Sequence, residues 1–295
     1  MQHLVDVDSL SKSDILKIIE DAKSFKEQMP PRLLDGKLLF TLFFEPSTRT
    51  RSSFEVAAKR LGADVVHLNP SQSSAKKGET LEDTFLNLCA MAPDGVIIRH
   101  TGNSSARDLA NLNLTPIINA GTGNSAHPTQ GLLDLFTIIE HFKSDIKGKR
   151  VTIVGDILNS RVASSGIRLF TKMGLDVTLV APKEFMPQTS LKCGQDLSKV
   201  LDDTDVIISL RAQLERHKKP IFDDYNEYAK HYCITKELIE NRDLVVMHPG
   251  PVMRNIDISN EVLESDKSLV MQQVSNGVFI RMAVLKHLLL DSNEC

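Results

Sequence analysis

Arginines and hydroxyl residues recur where short apolar runs end. The run 37–44 leads into Glu45-Pro46-Ser47-Thr48-Arg49-Thr50-Arg51, which opens a stretch with helical spacing. Pro46 stops an extended segment and Ser47 or Thr48 can cap the helix, so the first-turn amides and the helix dipole face outward. Two arginines and three hydroxyls at that point have the chemistry of a phosphate cradle built without a glycine loop. A capped helix with solvated arginines would use the same residues. The run ending at Ile98 delivers Arg99 and His100, and the run ending at Asn119 precedes Gly121-Thr122-Gly123-Asn124-Ser125-Ala126-His127-Pro128-Thr129-Gln130. Gly-x-Gly-x-x-Ala looks like a dinucleotide fingerprint. However, His127-Pro128 separates it from the next helix, and no acidic residue closes a second strand about 20 residues on. His127 could donate a hydrogen bond to a substrate carbonyl, or be a structural loop histidine.

The second half repeats the arrangement. Gly155-Asp156 ends a run, and Ser160-Arg161 starts the next helix. A later run delivers Arg211 and Gln213, and another delivers His248-Pro249-Gly250-Pro251, a rigid turn that exposes main-chain groups. Arginines thus stand at run ends in both halves: Arg49 and Arg99, then Arg161 and Arg211. They form either four separate surface ion pairs or one cleft that receives two anionic ligands. The polar, basic loop 71–79 is either solvated or able to close on an anion.

The elements that position these residues alternate. Helical spacing is read over 11–28, with Ser11 and Asp14 resembling a capping box, and over 47–61, closed by Gly62. Further helices are expected over 80–91, 104–111, 128–142, 161–173, 195–201, 235–240 and 277–290. Strands are expected over 37–44, 64–68, 95–99, 116–119, 150–154, 176–180, 205–210 and 244–247. Strand–helix alternation predicts an α/β protein of two domains, each a mostly parallel sheet with helices on both faces. Ligands in such sheets bind beyond the carboxyl ends of the strands.

Composition narrows the function. The 295 residues suit two domains of ordinary size. Lys+Arg 35 against Asp+Glu 38 gives a net charge of -3, which argues against a dedicated nucleic-acid binder but leaves anionic small molecules open. No apolar run approaches the roughly 20 residues of a membrane helix, and the start, MQHLVDVDSL, has no secretory pattern. Cys89, Cys193, Cys233 and Cys295 form no CxxC and no metal-like cluster, so free thiols in a reducing cytoplasm are expected.

Taken together, the motifs resemble those of the aspartate/ornithine carbamoyltransferase family, over nearly the full length and most closely its aspartate branch. The stretches are Phe44-Glu45-Pro46-Ser47-Thr48-Arg49-Thr50-Arg51-Ser52-Ser53-Phe54-Glu55, Lys77-Gly78-Glu79-Thr80 and His127-Pro128-Thr129-Gln130. Gly155-Asp156, Ser160-Arg161-Val162-Ala163, His248-Pro249-Gly250-Pro251 and Gln272-Gln273-Val274-Ser275-Asn276-Gly277 complete the set. The Ser-Thr-Arg-Thr-Arg motif is common to carbamoyltransferases. The Lys-Gly-Glu-Thr loop and the His-Pro-Gly-Pro turn are similar to the aspartate branch, and the His-Cys-Leu-Pro of the ornithine branch does not occur.

The resemblance implies transfer of the carbamoyl group of carbamoyl phosphate to the α-amino group of L-aspartate, the committed step of pyrimidine synthesis, without cofactor, metal or covalent intermediate. Carbamoyl phosphate would be held by Ser47, Thr48, Arg49, Thr50 and Arg99, with His127 and Gln130 at the carbamoyl end and main-chain groups of Gly250 and Pro251. Aspartate would be gripped by Arg161 and Arg211, with Gln213 nearby and Lys77 contributing. Ser73 and Lys77 would come from a neighbouring subunit, which implies a cytoplasmic homotrimer with shared active sites; regulatory chains are a possible further partner. Arg49, Thr50, Lys77, Arg99 and His127 would serve catalysis, with Thr50, Arg99 and His127 stabilising the developing oxyanion. The implied domains are 1–130 plus 278–295 for carbamoyl phosphate and 131–277 for aspartate. Met253 and Ser164 depart from the usual pattern, Met253 replacing a polar residue near the aspartate pocket and Ser164 standing where a basic residue is common. They leave room for a related acceptor. A carbamoyltransferase with another amine, a catalytically silent homologue and a two-domain solute binder are the competing readings.

Overall fold

The computed structural model describes residues 1–68, 78–214 and 221–290. Backbone contacts divide the chain into two units, Met1–Leu133 with Ser275–Cys295, and Asp134–Val274. The first unit runs α1 (Lys12–Glu27), β1 (Leu38–Phe43), α2 (Thr48–Leu61), β2 (Asp64–Leu68), α3 (Leu81–Cys89), β3 (Gly95–His100), α4 (Ser105–Asn111) and β4 (Ile117–Thr122). Helix α5 (Pro128–His141) leads into the second unit. There follow β5 (Arg150–Val154), α6 (Arg161–Met173), β6 (Asp176–Val180), β7 (Lys192–Gly194), β8 (Val206–Ser209), α7 (Tyr225–Tyr232), α8 (Lys236–Ile239), β9 (Val245–Met247) and α9 (Asn260–Leu263). Helix α10 (Val270–Leu289) returns to the first unit.

Both sheets are parallel, in the orders β2-β1-β3-β4 and β7-β6-β5-β8-β9. The strands read as near-continuous apolar runs because both faces are covered. Leu39, Phe40, Leu42, Val96, Ile97 and Ile98 are buried in the first sheet; Val151, Ile153, Val154, Val206, Ile207 and Ile208 are buried in the second. In each order the chain builds outward on one side and then crosses to the other. The order therefore reverses between β1 and β3 in the first sheet and between β5 and β8 in the second. Crevices at such reversals are where open α/β sheets receive ligands.

Local chemistry explains most boundaries. The Ser11 hydroxyl accepts from Asp14 N–H at 3.1 Å, and the Asp14 carboxylate accepts from Ser11 N–H at 2.9 Å, a reciprocal cap for α1. Gly62 and Gly174 end α2 and α6 in the left-handed region, at φ 94° and 87°, where a side chain would be strained.

Several sequence expectations are corrected. The helix expected over 195–201 is instead two 3-10 turns, Leu197–Lys199 and Leu201–Asp203, which follow a strand, β7, that had no expectation. Asp196 diverts the chain there by accepting the Ser198 N–H at 3.0 Å. The last helix begins at Val270 rather than at 277. Gly277 lies inside the helix, where a Cβ would stand 2.6 Å from the Arg281 guanidinium and 3.2 Å from the Leu133 side chain. Strand β4 extends past Asn119 to Thr122, and α7 and α9 had no expectation. Cys89, Cys193 and Cys233 are free. Among the described residues, no helix is long and apolar enough to cross a membrane.

Candidate active site

Every expected site residue among the described ones leaves the carboxyl end of a strand or opens the helix that follows. In the first sheet, Phe43 pairs with Arg99, and Phe44 N–H donates to the Arg99 carbonyl at 2.9 Å. The β1 and β3 exits are therefore side by side at the strand-order reversal, with Ser47, Thr48, Arg49 and Thr50 following the first and Arg99 near the end of the second. The Arg99 guanidinium lies 3.3 Å from the Glu45 carboxylate and donates to the Ala120 carbonyl of β4 at 3.2 Å. It is thus aimed by groups from both neighbouring strand ends.

Ser47 occupies the N-cap position of α2, but its hydroxyl takes no bond from the first-turn amides. The expectation that Ser47 or Thr48 caps the helix is not met at Ser47, and Thr48 is already the first helical residue. No acidic residue stands in that turn. The helix start thus leaves first-turn main-chain N–H groups without a side-chain cap beside the Ser47 and Thr48 hydroxyls and Arg49, a donor set suited to a phosphate. Thr50 is buried, and Arg49 is exposed.

Beyond β4, Asn119 fixes the chain's departure. Its amide donates to Val5 O at 2.7 Å and Thr122 Oγ1 at 3.0 Å, and its carbonyl accepts Gly121 N–H at 2.8 Å. The glycine motif then closes on itself. Gly123 N–H donates to His100 O, Asn124 N–H to Asn103 Oδ1 and Ser125 N–H to Thr122 O, all within 3.1 Å. With these amides consumed internally, there is no dinucleotide cradle. His127 and Gln130, both buried, flank the start of α5, where the amides of Gln130 and Gly131 donate to the His127 carbonyl. Half-buried His100 accepts the Gly102 N–H at Nδ1, 2.9 Å away. Burial lowers its pKa, partly opposed by Glu45.

In the second sheet the β5 and β8 exits meet. Leu210 N–H donates to Val154 O at 2.8 Å, and a side chain on Gly155 would stand 2.8 Å from the Leu210 carbonyl oxygen. With φ 118° as well, only glycine fits there. Buried Asp156 accepts the Asn159 main-chain N–H at 3.3 Å and its side-chain amide at 3.2 Å, shaping the turn that presents Arg161. Arg161 is the first residue of α6, which the Ser160 hydroxyl caps by accepting Ala163 N–H at 3.1 Å. Gln213 reaches Asn159 O at 3.5 Å, joining the Arg211 segment to the Arg161 turn. Beyond β9, Gly250 N–H donates to His248 Nδ1 at 2.8 Å, and Gly250–Pro251 is a cis peptide. Met253 N–H is bonded to Asp257, and Arg168 reaches back to Ser164 through its main-chain oxygen at 3.0 Å. Ser73 and Lys77 lie outside the described residues.

Sequence reasoning passed over Glu45, Asn119, Asn159, Asp257 and Gln273. These hold the site residues in place. Asn119, Asp257 and Gln273 are buried while Glu45 and Asn159 are partly exposed, and what sets each apart is a partner that the local pattern does not show.

The aspartate/ornithine carbamoyltransferase carbamoyl-phosphate-binding domain profile matches residues 2–140, and the Asp/Orn-binding domain profile of the same family matches residues 147–288. The aspartate carbamoyltransferase catalytic subunit of Sulfurovum sp. (strain NBC37-1) is 65% identical over 294 residues, covering 100% of both chains. The solved catalytic subunit of M. jannaschii aspartate transcarbamoylase matches with a TM-score of 0.89 and 34% identity, covering 100% of both. Aspartate transcarbamoylase from Trypanosoma cruzi, solved with carbamoyl phosphate and aspartate, matches with a TM-score of 0.87 and 29% identity over 96% of this chain and 95% of that one. A full-length match on this scale, with both domain profiles in order, makes this chain a member of the aspartate/ornithine carbamoyltransferase family.

Proposed function

We propose that the chain is a carbamoyltransferase acting on L-aspartate: carbamoyl phosphate and aspartate give N-carbamoyl-L-aspartate and phosphate, a step of pyrimidine synthesis. The observation that carries the reading is the placement of one arginine pair at each strand-order reversal, Arg49 with Arg99 and Arg161 with Arg211. Carbamoyl phosphate is close to a dianion and aspartate has two carboxylates, so bringing them together requires concentrated positive charge. Arginine meets it through two-point contacts with phosphate and carboxylate.

In this reading Ser47, Thr48, Arg49, Thr50 and Arg99 hold the phosphate, and His127 and Gln130 face the carbamoyl group, with main-chain groups from Gly250 and Pro251. Arg161, Arg211 and Gln213 hold aspartate. The deprotonated α-amine attacks the carbamoyl carbon; its lone pair forms the new C–N bond as the carbonyl oxygen gains negative charge. Thr50, Arg99 and His127 stabilise that charge. The C–O bond to phosphate then breaks, and the departing phosphate accepts the amine's proton. These groups catalyse by orientation and electrostatics.

The acceptor is tested by incubating purified protein with carbamoyl phosphate and either L-aspartate or L-ornithine. Ureido product with aspartate alone is expected; turnover with ornithine would overturn the roles of Arg161 and Arg211. The homotrimer with Ser73 and Lys77 supplied across subunits belongs to the same proposal. Mixing Lys77→Ala with Arg49→Ala chains should restore part of the activity, since a mixed trimer can contain one intact site; no recovery after confirmed subunit exchange would refute sharing. The free thiols of Cys89, Cys193 and Cys233 suit a reducing cytoplasm.

A further inference from the structure

Asp257 is 1% exposed and lies between Ile256 and Ile258 in the segment after the His248–Pro251 turn. One carboxylate oxygen, Oδ1, accepts Ala212 N–H at 3.2 Å, between Arg211 and Gln213. The other, Oδ2, accepts Met253 N–H at 2.9 Å and lies 3.1 Å from His248 Nε2. His248 Nδ1 accepts the Gly250 main-chain N–H, so the imidazole proton sits on Nε2 and is donated to Asp257. The Gln273 side chain extends the network, accepting His248 N–H at 2.8 Å and donating to Asp134 Oδ1 at 2.7 Å. A buried carboxylate with three such donors is satisfied, and withdrawing an acceptor strands a buried N–H.

We propose that Asp257 is a positioning residue of the transferase, fixing the Arg211–Gln213 segment that grips the amino-acid acceptor relative to the His248–Pro251 turn. This rests on the function proposed above. The carboxylate itself touches neither substrate; it acts through the main chain on either side of Ala212 and through the His248 imidazole.

The Asp257→Asn variant separates this role from simple stability. A single amide oxygen can keep the two-donor side, Met253 and His248, which turns the amide nitrogen toward Ala212 N–H. Donor then faces donor, and the Arg211–Gln213 segment must move. The KM for aspartate should rise about tenfold or more, the scale of one stranded buried N–H, while the KM for carbamoyl phosphate changes less than about threefold. Ser209→Ala, which removes only a 3.3 Å bond to the Asp257 carbonyl, should leave both KM values within about twofold. Equal changes in both KM values for folded Asp257→Asn, or a fall in kcat alone, would overturn the positioning role. If that variant does not fold, the wild-type chain decides: nitrogen-15 NMR should show His248 protonated at Nε2, and protonation at Nδ1 would overturn the proposal. Failure of the wild-type enzyme to turn over aspartate would instead sink the proposed function, and this inference with it.

Discussion

The two strand-order reversals place arginines alike but treat the following helix differently. Helix α6 caps itself, the Ser160 hydroxyl taking up Ala163 N–H, so in the proposed site it offers a ligand the Arg161 guanidinium. Helix α2 has Ser47 at the corresponding place with the hydroxyl unused for capping, so it offers amides and hydroxyls as well as Arg49. The difference matches the proposed ligands. A tetrahedral phosphate accepts many bonds from converging directions and suits an uncapped helix start. Separated carboxylates on a small amino acid suit individual guanidinium forks on separate strand exits.

The largest expected effects test this division directly. Arg49→Ala and Arg211→Ala should each lower kcat/KM by about 10²–10³, the usual scale for losing a charged donor in a site of this kind. They should fail differently. Calorimetry should show Arg211→Ala still binding carbamoyl phosphate while the KM for aspartate rises, and Arg49→Ala losing carbamoyl phosphate. If both variants lost the same ligand, the assignment of one anion to each sheet would be broken.

Paired serine variants give the intermediate effect. Ser160→Ala removes the hydroxyl that caps α6 and should cost about 1 kcal/mol in urea unfolding of the second unit. Ser47→Ala removes no cap bond, so stability should hold while the KM for carbamoyl phosphate rises several-fold. A stability loss at Ser47 matching that at Ser160 would mean the two helix starts are equivalent after all.

The strand–helix alternation was readable because each parallel strand is a buried apolar run and most helices carry their own caps, as at Ser11 and Gly62. The arginines were readable as site candidates because they recur at the ends of such runs in both halves, although separate surface ion pairs would use the same pattern. What the pattern could not supply was strand order, which decides that the β1 and β3 exits touch; nonlocal pairing leaves no periodic trace. The start of the last helix was missed for a related reason: Gly277 lies inside it, close to Arg281 and to Leu133, which is distant in sequence, and a local reading puts the helix start at the glycine. Likewise Asp257 stands between two isoleucines with no local mark of a role, and the proposed clamp rests on bonds to Ala212, Met253 and His248 that only the fold brings to it.

The smallest effect compares two histidines. His100 and His248 each follow an apolar strand and accept at Nδ1 the main-chain N–H two residues on, from Gly102 and Gly250. His248 is enclosed with Asp257, whereas His100 is half-buried, accepts also from Ser105 and packs edge-on against Phe44. Burial holds His100 below its ordinary 6.5, with Glu45 pulling partly the other way. As pH falls through about 6.5 the unfolded chain takes up a proton at this position and the folded chain resists, so the unfolded state binds more protons and stability declines. The decline ends where folded His100 itself protonates and gives up the Gly102 and Ser105 bonds. His100→Asn keeps an acceptor side chain but removes the titration. Urea midpoints measured between about pH 5 and 7.5 should fall less steeply for the variant than for the wild type, because His3, also lowered by burial, contributes equally to both. Parallel slopes would show that His100 takes up its proton as readily in the folded chain as in the unfolded one, and the contrast between the two histidine turns would lose its electrostatic part.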